Sequence, residues 1–133
     1  SALVDMAAHE LAEVPEDFDA VAFERTQVEA RGVPPGTRMR HRMTHFGHLF
    51  SGDGYAAGYY VYLWAEVLDA DAFDAFVESG DPFDAAVAQR LRRFIYGAGN
   101  TLAPDDAYRA FRGRDPDVAP MLRKKGLRDA AQA

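Results

Sequence analysis

An all-α fold follows from three features of this 133-residue sequence. Apolar residues recur at helical spacing in most segments, and no run shows the clean period-two alternation of a half-buried strand. Proline and glycine also divide the chain into pieces of helical length. The predicted architecture is an irregular bundle of about five to six helices, with a Gly-rich loop before one long central helix.

Taken in order, Leu3, Met6, Ala7 and Leu11 share a helical face, and Pro15 forbids an easy continuation past Val14. Asp17 or Asp19 can cap a second helix, with Val21, Phe23 and Val28 supplying apolar contacts before Gly32 and the Pro34-Pro35-Gly36 breaker. Residues 37–50 mix Arg, His, Met and Phe without a period, and Ser51-Gly52-Asp53-Gly54 reads as a loop. From Tyr55 to Glu78 there is no proline, so one long helix is expected until Ser79, Gly80 and Pro82 stop it. Asp84 then caps a helix carrying Val87, Leu91, Phe94 and Ile95 on one face and ending at Gly97 and Gly99. Pro104 with Asp105 and Asp106 is a helix start, followed by Tyr108, Phe111 and a stop at Gly113. A last short helix runs from Pro116 to Lys125, with Val118, Met121 and Leu122 inward and the basic Arg123, Lys124 and Lys125 at its C-terminal end.

The length is that of one domain, 1–133. With 48% hydrophobic, 12% aromatic and 27% charged residues, the composition is that of a folded soluble protein. The net charge of −6 argues against nucleic acid as a partner, because the Arg38, Arg40, Arg42 run is too short for a phosphate footprint. The absence of cysteine excludes disulfides and thiolate metal sites and suits a reducing cytoplasm, the expected location. No stretch approaches the roughly 20 apolar residues of a membrane span. The chain opens on Ser1 inside a helical pattern without an initiator methionine, which predicts a piece of something longer.

Three motifs invite a chemical reading. His9-Glu10-Leu11-Ala12-Glu13 begins like a zinc helix, but that chemistry needs a second imidazole at i+4, where Glu13 stands. His41, His45 and His48 would align at i, i+4 and i+7 on a helix. Gly47 and the neighbouring arginines oppose both that helix and a bound cation, so ordinary hydrogen-bonding histidines are expected and no metal ligand is assigned. The third motif has four tyrosines within eight residues, of which Tyr55, Tyr59 and Tyr62 would share one helical face. Such a stripe can simply pack. Here small Ala56, Ala57 and Gly58 leave room beside the phenols, a Gly loop precedes them, and His48 lies just upstream. Phenols stay protonated at neutral pH and can donate to a developing oxyanion.

The segment His45-Phe46-Gly47-His48-Leu49-Phe50 followed by Gly54-Tyr55-Ala56-Ala57-Gly58-Tyr59-Tyr60-Val61-Tyr62-Leu63-Trp64-Ala65-Glu66-Val67 resembles the C-terminal signature of the peptidyl-dipeptidase, thimet oligopeptidase and oligopeptidase A family of zinc metallopeptidases. The likeness continues through Asp69–Phe73, the Phe111-Arg112-Gly113-Arg114 turn, Leu122 and Gly126-Leu127. It implies a mostly helical hydrolase of short peptides with one catalytic zinc. The zinc would be bound by a His-Glu-x-x-His helix and a further glutamate, all upstream of any residue in this sequence. By motif position, the resemblance assigns Tyr55 and Tyr62 to carbonyl polarisation and His48 to substrate binding, with Tyr59, Gly52 and Gly54 as further substrate contacts. The loop Phe50-Ser51-Gly52-Asp53-Gly54 is one residue longer than the commonest family form and carries an aspartate. The Ala57-Gly58 pair resembles the bacterial peptidyl-dipeptidase branch, which implies release of C-terminal dipeptides. The chain alone is then expected to bind no zinc and to be inactive, its partners being peptide substrates and the missing zinc-binding portion, with self-association of the exposed channel wall as a further expectation. The alternative is a stand-alone helical binding module, or a small histidine-based metalloprotein using His41, His45 and His48.

Overall fold

The computed structural model describes residues 1–127, which contain seven α-helices and no strand, as the all-α prediction requires. None of the helices is long and apolar enough to cross a membrane. The chain divides into two compact units, Ser1–Tyr62 and Leu63–Ala133, the boundary falling in the first turn of the longest helix.

The first unit contains α1 (Ala2–His9), α2 (Ala20–Ala30), a 3₁₀ turn at Met43–His45 and the one-turn α3 (Gly47–Phe50). α1 stops at His9, short of the expected Val14, and the face it buries carries Val4 and Asp5; Leu3 stays 59% exposed. α2 starts where Asp19 accepts hydrogen bonds from the Val21 and Ala22 amides at 2.9 and 3.0 Å. Its buried side chain is Glu24, which accepts from the Met43 amide at 2.9 Å and pairs with the Arg42 guanidinium 2.6 Å away. Arg42 is therefore an internal counter-ion that fixes the 3₁₀ turn to α2. The apolar contribution in this unit comes from Val4, Phe46 and Leu49, each under a tenth exposed. α3 lies in the region the sequence left irregular and is the helix beyond the expected six.

The second unit is built on α4 (Val61–Ser79), α5 (Ala85–Leu91) with a π-helical continuation at Arg92–Tyr96, α6 (Pro104–Arg112) and α7 (Ala119–Lys124). Asp84 caps α5 through the Ala86 and Val87 amides, both at 2.8 Å. Ala75, Val87, Tyr108 and Phe111 form its main core, against which Leu68, Phe76, Leu91, Phe94 and Ile95 pack. Full burial of a side chain such as Phe111 contributes about 1.5–3 kcal/mol. A second cluster joins Val67 and Ala70 of α4 to Met121 and Leu122 of α7, and the basic end of α7 is paired with acids of α4. Arg123 reaches Asp74, Lys124 reaches Asp69 and Lys125 reaches Glu66. Val118, expected inward, is 47% exposed.

The polar centre of this unit is Asp71, whose side chain is fully buried. It accepts from the Tyr108 hydroxyl and from Arg114 Nη2, both at 2.6 Å, while Arg112 Nε lies 3.4 Å from it. Arg112 also grips Glu78 with two bonds of 2.6 Å. Two arginines two residues apart can converge on one carboxylate because Gly113 between them takes φ +80°, the left-handed C-cap conformation that a side chain would disfavour by about 1–2 kcal/mol. Burial, then the bond to Asp71, pushes the Tyr108 phenol well above its ordinary range.

Candidate functional site

The tyrosines do not start a helix. Residues 51–60 form bends and successive turns, and α4 begins only at Val61, which corrects the expected helix from Tyr55. Ala56 N–H bonds the Asp53 carbonyl at 3.1 Å, Gly58 N–H the Tyr55 carbonyl at 2.9 Å, and Val61 N–H the Gly58 carbonyl at 3.1 Å. Between them Ala57 has φ +54°, a left-handed conformation that costs a non-glycine residue about 1–2 kcal/mol. A Cβ on Gly58 would lie 3.3 Å from the Tyr55 carbonyl oxygen, so the small residue fits the tightness of the winding.

The stripe expected from a helical face is produced by this winding instead. The Tyr55 and Tyr62 rings stack with centroids 6.2 Å apart and planes within 6°. The Tyr62 hydroxyl donates to the Tyr55 hydroxyl at 3.2 Å, and His48 Nε2 lies 3.2 Å from the Tyr62 hydroxyl on its other side. His48 also packs on Tyr55, with centroids 4.3 Å apart. Tyr59 meets Tyr62 edge to face at 5.1 Å and is held behind by an edge contact of 5.0 Å with Phe46. Four residues singled out in the sequence, His48, Tyr55, Tyr59 and Tyr62, are thus in one aromatic cluster within the first unit. Gly52 and Gly54 are exposed, and no atom lies within 4 Å of where their Cβ would be, which leaves open space beside the loop.

The hydrogen bond that Tyr62 donates to Tyr55, then desolvation, then the charge it would share with Tyr55 and Tyr59 hold the Tyr62 phenol above its ordinary value of 10.0. It is therefore a hydrogen donor at neutral pH. Two phenolic oxygens 3.2 Å apart can both approach one oxygen at the usual 2.7–2.8 Å, so a ligand carbonyl can take the place of the Tyr62–Tyr55 bond and receive a hydrogen from each. With the hydrogen on Nε2, His48 donates to Tyr62 and directs the phenol's own hydrogen outward.

An open pocket of about 450 Å³ lies beside these groups, lined by His41, His45, Phe46, Gly47, His48, Tyr59 and Tyr62. The three histidines share the pocket but not a helix. Phe46, at φ −90° and ψ 64°, separates the 3₁₀ turn from α3, and its ring stacks on His41 at 4.8 Å and on His48 at 6.2 Å. Among the described residues no three His, Asp or Glu side chains are gathered where a metal ion could be held. The His9–Glu13 segment leaves the helix after His9, so its two ends do not share a helical face.

One residue of this neighbourhood escaped the sequence reading. Asp5, its side chain fully buried, accepts from the Ala57 amide at 3.1 Å and the Tyr59 amide at 2.9 Å, and His9 Nδ1 lies 2.9 Å from its carboxylate. The available signal was an aspartate in an otherwise apolar turn of α1 with a histidine at i+4.

The seven helices and the tyrosine cluster all lie within the stretch that matches a known family of peptidases. Residues 1–127 match the model of Peptidase family M3, and the chain belongs to that family. It is 38% identical to the dipeptidyl carboxypeptidase of Salmonella typhimurium over 128 residues, covering 96% of this chain and 18% of that protein. The dipeptidyl carboxypeptidase of Escherichia coli is 37% identical over 132 residues, with the same two coverages. The organellar oligopeptidase A of Arabidopsis thaliana is 45% identical over 107 residues, 78% of this chain and 13% of that protein. The chain therefore spans less than a fifth of the length of these relatives.

Proposed function

We propose that the 133 residues are one C-terminal portion of the catalytic domain of a zinc peptidase that hydrolyses short peptides, and that their part is to bind the substrate and stabilise its oxyanion. Tyr55 and Tyr62 donate to the scissile carbonyl oxygen, His48 braces Tyr62 and contacts the substrate, and Tyr59 with the open backbone at Gly52 and Gly54 lines the approach. The observation that carries this reading is the pair of hydroxyls 3.2 Å apart with His48 behind them. As water adds to the peptide carbon, the carbonyl oxygen gains negative charge, and donors already aimed at that oxygen are stronger toward the transition state than toward the substrate. A phenol, protonated at neutral pH, suits a group that donates without surrendering its hydrogen.

Zinc, the metal of the M3 peptidases, would serve the intact enzyme, and its ligands would come from sequence other than the described residues, among which no three His, Asp or Glu side chains are gathered for one. The same reading accounts for Tyr60, Val61, Leu63 and Trp64, consecutive with Tyr62 and each 44–53% exposed. Such apolar exposure is what a surface covered by more of the same enzyme would show. Both dipeptidyl carboxypeptidase relatives match over 96% of the chain, which favours the dipeptide-releasing mode over internal cleavage. A cysteine-free composition favours the cytoplasm.

The test is Tyr62→Phe in the intact peptidase. Removing one oxyanion donor costs roughly a hundred- to a thousandfold in kcat, about 3–4 kcal/mol. The expected variant has that loss, with bound zinc and KM near those of the parent. A variant with the parent's turnover defeats the proposal.

A further inference from the structure

We propose that Asp5 is a positioning residue for the tyrosine pair. The inference rests on the reading of Tyr55 and Tyr62 given above and extends it to α1, which contributes no group to the pocket. A side chain that is fully buried and charged is retained only when hydrogen bonds replace its water. Asp5 has those bonds, and both backbone donors come from the turn between Tyr55 and Tyr62: Ala57 N–H to Oδ1 at 3.1 Å and Tyr59 N–H to Oδ2 at 2.9 Å.

The position of these two amides explains the choice of residue. Ala57 is the left-handed position of the turn, and Tyr59 is next to the strand of backbone that enters α4. Neither amide bonds a backbone carbonyl, whereas Ala56, Gly58 and Val61 all do. The carboxylate therefore takes two donors that the winding leaves over, one oxygen to each. This fixes the disfavoured φ of Ala57, and with it the separation of Tyr55 from Tyr62. A neutral amide at position 5 offers a single acceptor and would turn its own N–H toward the second donor.

His9 completes the arrangement. Its Nδ1 lies 2.9 Å from both Asp5 Oδ1 and the Asp5 carbonyl oxygen, and 3.3 Å from Ala57 N. Two oxygens against one ring nitrogen require the hydrogen on Nδ1, so His9 donates to Asp5 and cannot also accept from Ala57. The ring is kept flat against Phe50 at 5.6 Å, which ties the same carboxylate to the end of α3, three residues after the start of the helix that carries His48. One carboxylate thereby connects the segments that supply both tyrosines and the histidine.

The experiment is a double-mutant cycle in the intact peptidase, with Asp5→Asn, Tyr62→Phe and the pair, measuring kcat and KM on a short quenched-fluorescence peptide. Asp5→Asn is expected to lower kcat about tenfold or more with KM changed less than about threefold, and to cost less than about twofold on the Tyr62→Phe background, because a misplaced donor cannot be lost twice. An equal loss on both backgrounds, or an unchanged kcat, overturns the inference while leaving the tyrosine reading standing. Unchanged kcat in Tyr62→Phe alone overturns the tyrosine reading and this inference with it. Residue-resolved hydrogen exchange on the unmutated enzyme applies even if Asp5→Asn does not fold: the Ala57 and Tyr59 amides should exchange slowly, and free exchange at both would overturn the assignment.

Discussion

Replacing Asp71 by alanine tests how the second unit is held together. The carboxylate is fully buried and serves three side chains: the Tyr108 hydroxyl and Arg114 at 2.6 Å each, and Arg112 at 3.4 Å. Removing one partner of a buried ion pair costs about 3–5 kcal/mol when the other charge is left uncompensated. That range has to be reduced here, because Arg112 keeps its two bonds to Glu78 and Arg114, 40% exposed, can turn to water. Tyr108 is less fortunate. Its remaining acceptor is the Leu68 carbonyl at 3.4 Å, so a buried hydroxyl is left nearly unpaired at a cost of about 1–3 kcal/mol. Adding a discounted arginine term gives a total of about 3–4 kcal/mol, which for a unit of this size lowers Tm by more than about 10 °C. Urea titration followed by circular dichroism reads the difference directly. Tyr108→Phe should recover part of it in the double variant, since the stranded hydroxyl is gone. A loss below about 1 kcal/mol for Asp71→Ala would refute the reasoning and make the network a surface ornament.

Two further outcomes follow from the same geometry. The bidentate contact with Arg112 holds Glu78 below its ordinary value of 4.5. A carboxyl with a depressed folded value contributes stability above its unfolded value and loses it as the pH falls through the folded one. Glu78→Gln should therefore lower stability at neutral pH and flatten the acid-side fall below about pH 4.5, measured as Tm against pH; an unaltered acid limb would contradict the pairing. Purified as 133 residues and incubated with zinc, the chain should retain no stoichiometric metal and cleave no short peptide. Bound zinc with cleavage would make the His41, His45, His48 group a real centre.

Helices whose ends are fixed by their own residues were legible in the sequence. Pro104 with two aspartates and Gly113 bracket α6, and Asp84 opens α5, because capping is a local interaction between neighbours in the chain. The members of the aromatic cluster were legible too: His48, Tyr55, Tyr59 and Tyr62 were singled out and lie together. How they come together was not. The absence of proline after Tyr55 suggested a helix, but the amides of Ala57 and Tyr59 are satisfied by a carboxylate 52 and 54 residues earlier, and no local pattern reports that partner. The same holds for α1 and α2, where the buried positions are Val4 with Asp5, and Glu24, and not the predicted apolar stripes. Long-range pairing of buried acids, to backbone in one case and to backbone plus Arg42 in the other, overrode the hydrophobic pattern.

The claim that Tyr62 stabilises charge on the carbonyl oxygen is tested most directly by comparing catalysis with binding of a tetrahedral mimic. A peptide in which a phosphinate replaces the scissile amide carries the oxyanion permanently, so its affinity should follow the transition state and not the substrate. Across the parent, Tyr62→Phe and Tyr55→Phe in the intact peptidase, the account predicts that the inhibition constant rises by the same factor by which kcat/KM falls, roughly a hundred- to a thousandfold for Tyr62→Phe. Phosphinate affinity that stays constant while kcat/KM falls would contradict it, and would place these phenols outside oxyanion stabilisation.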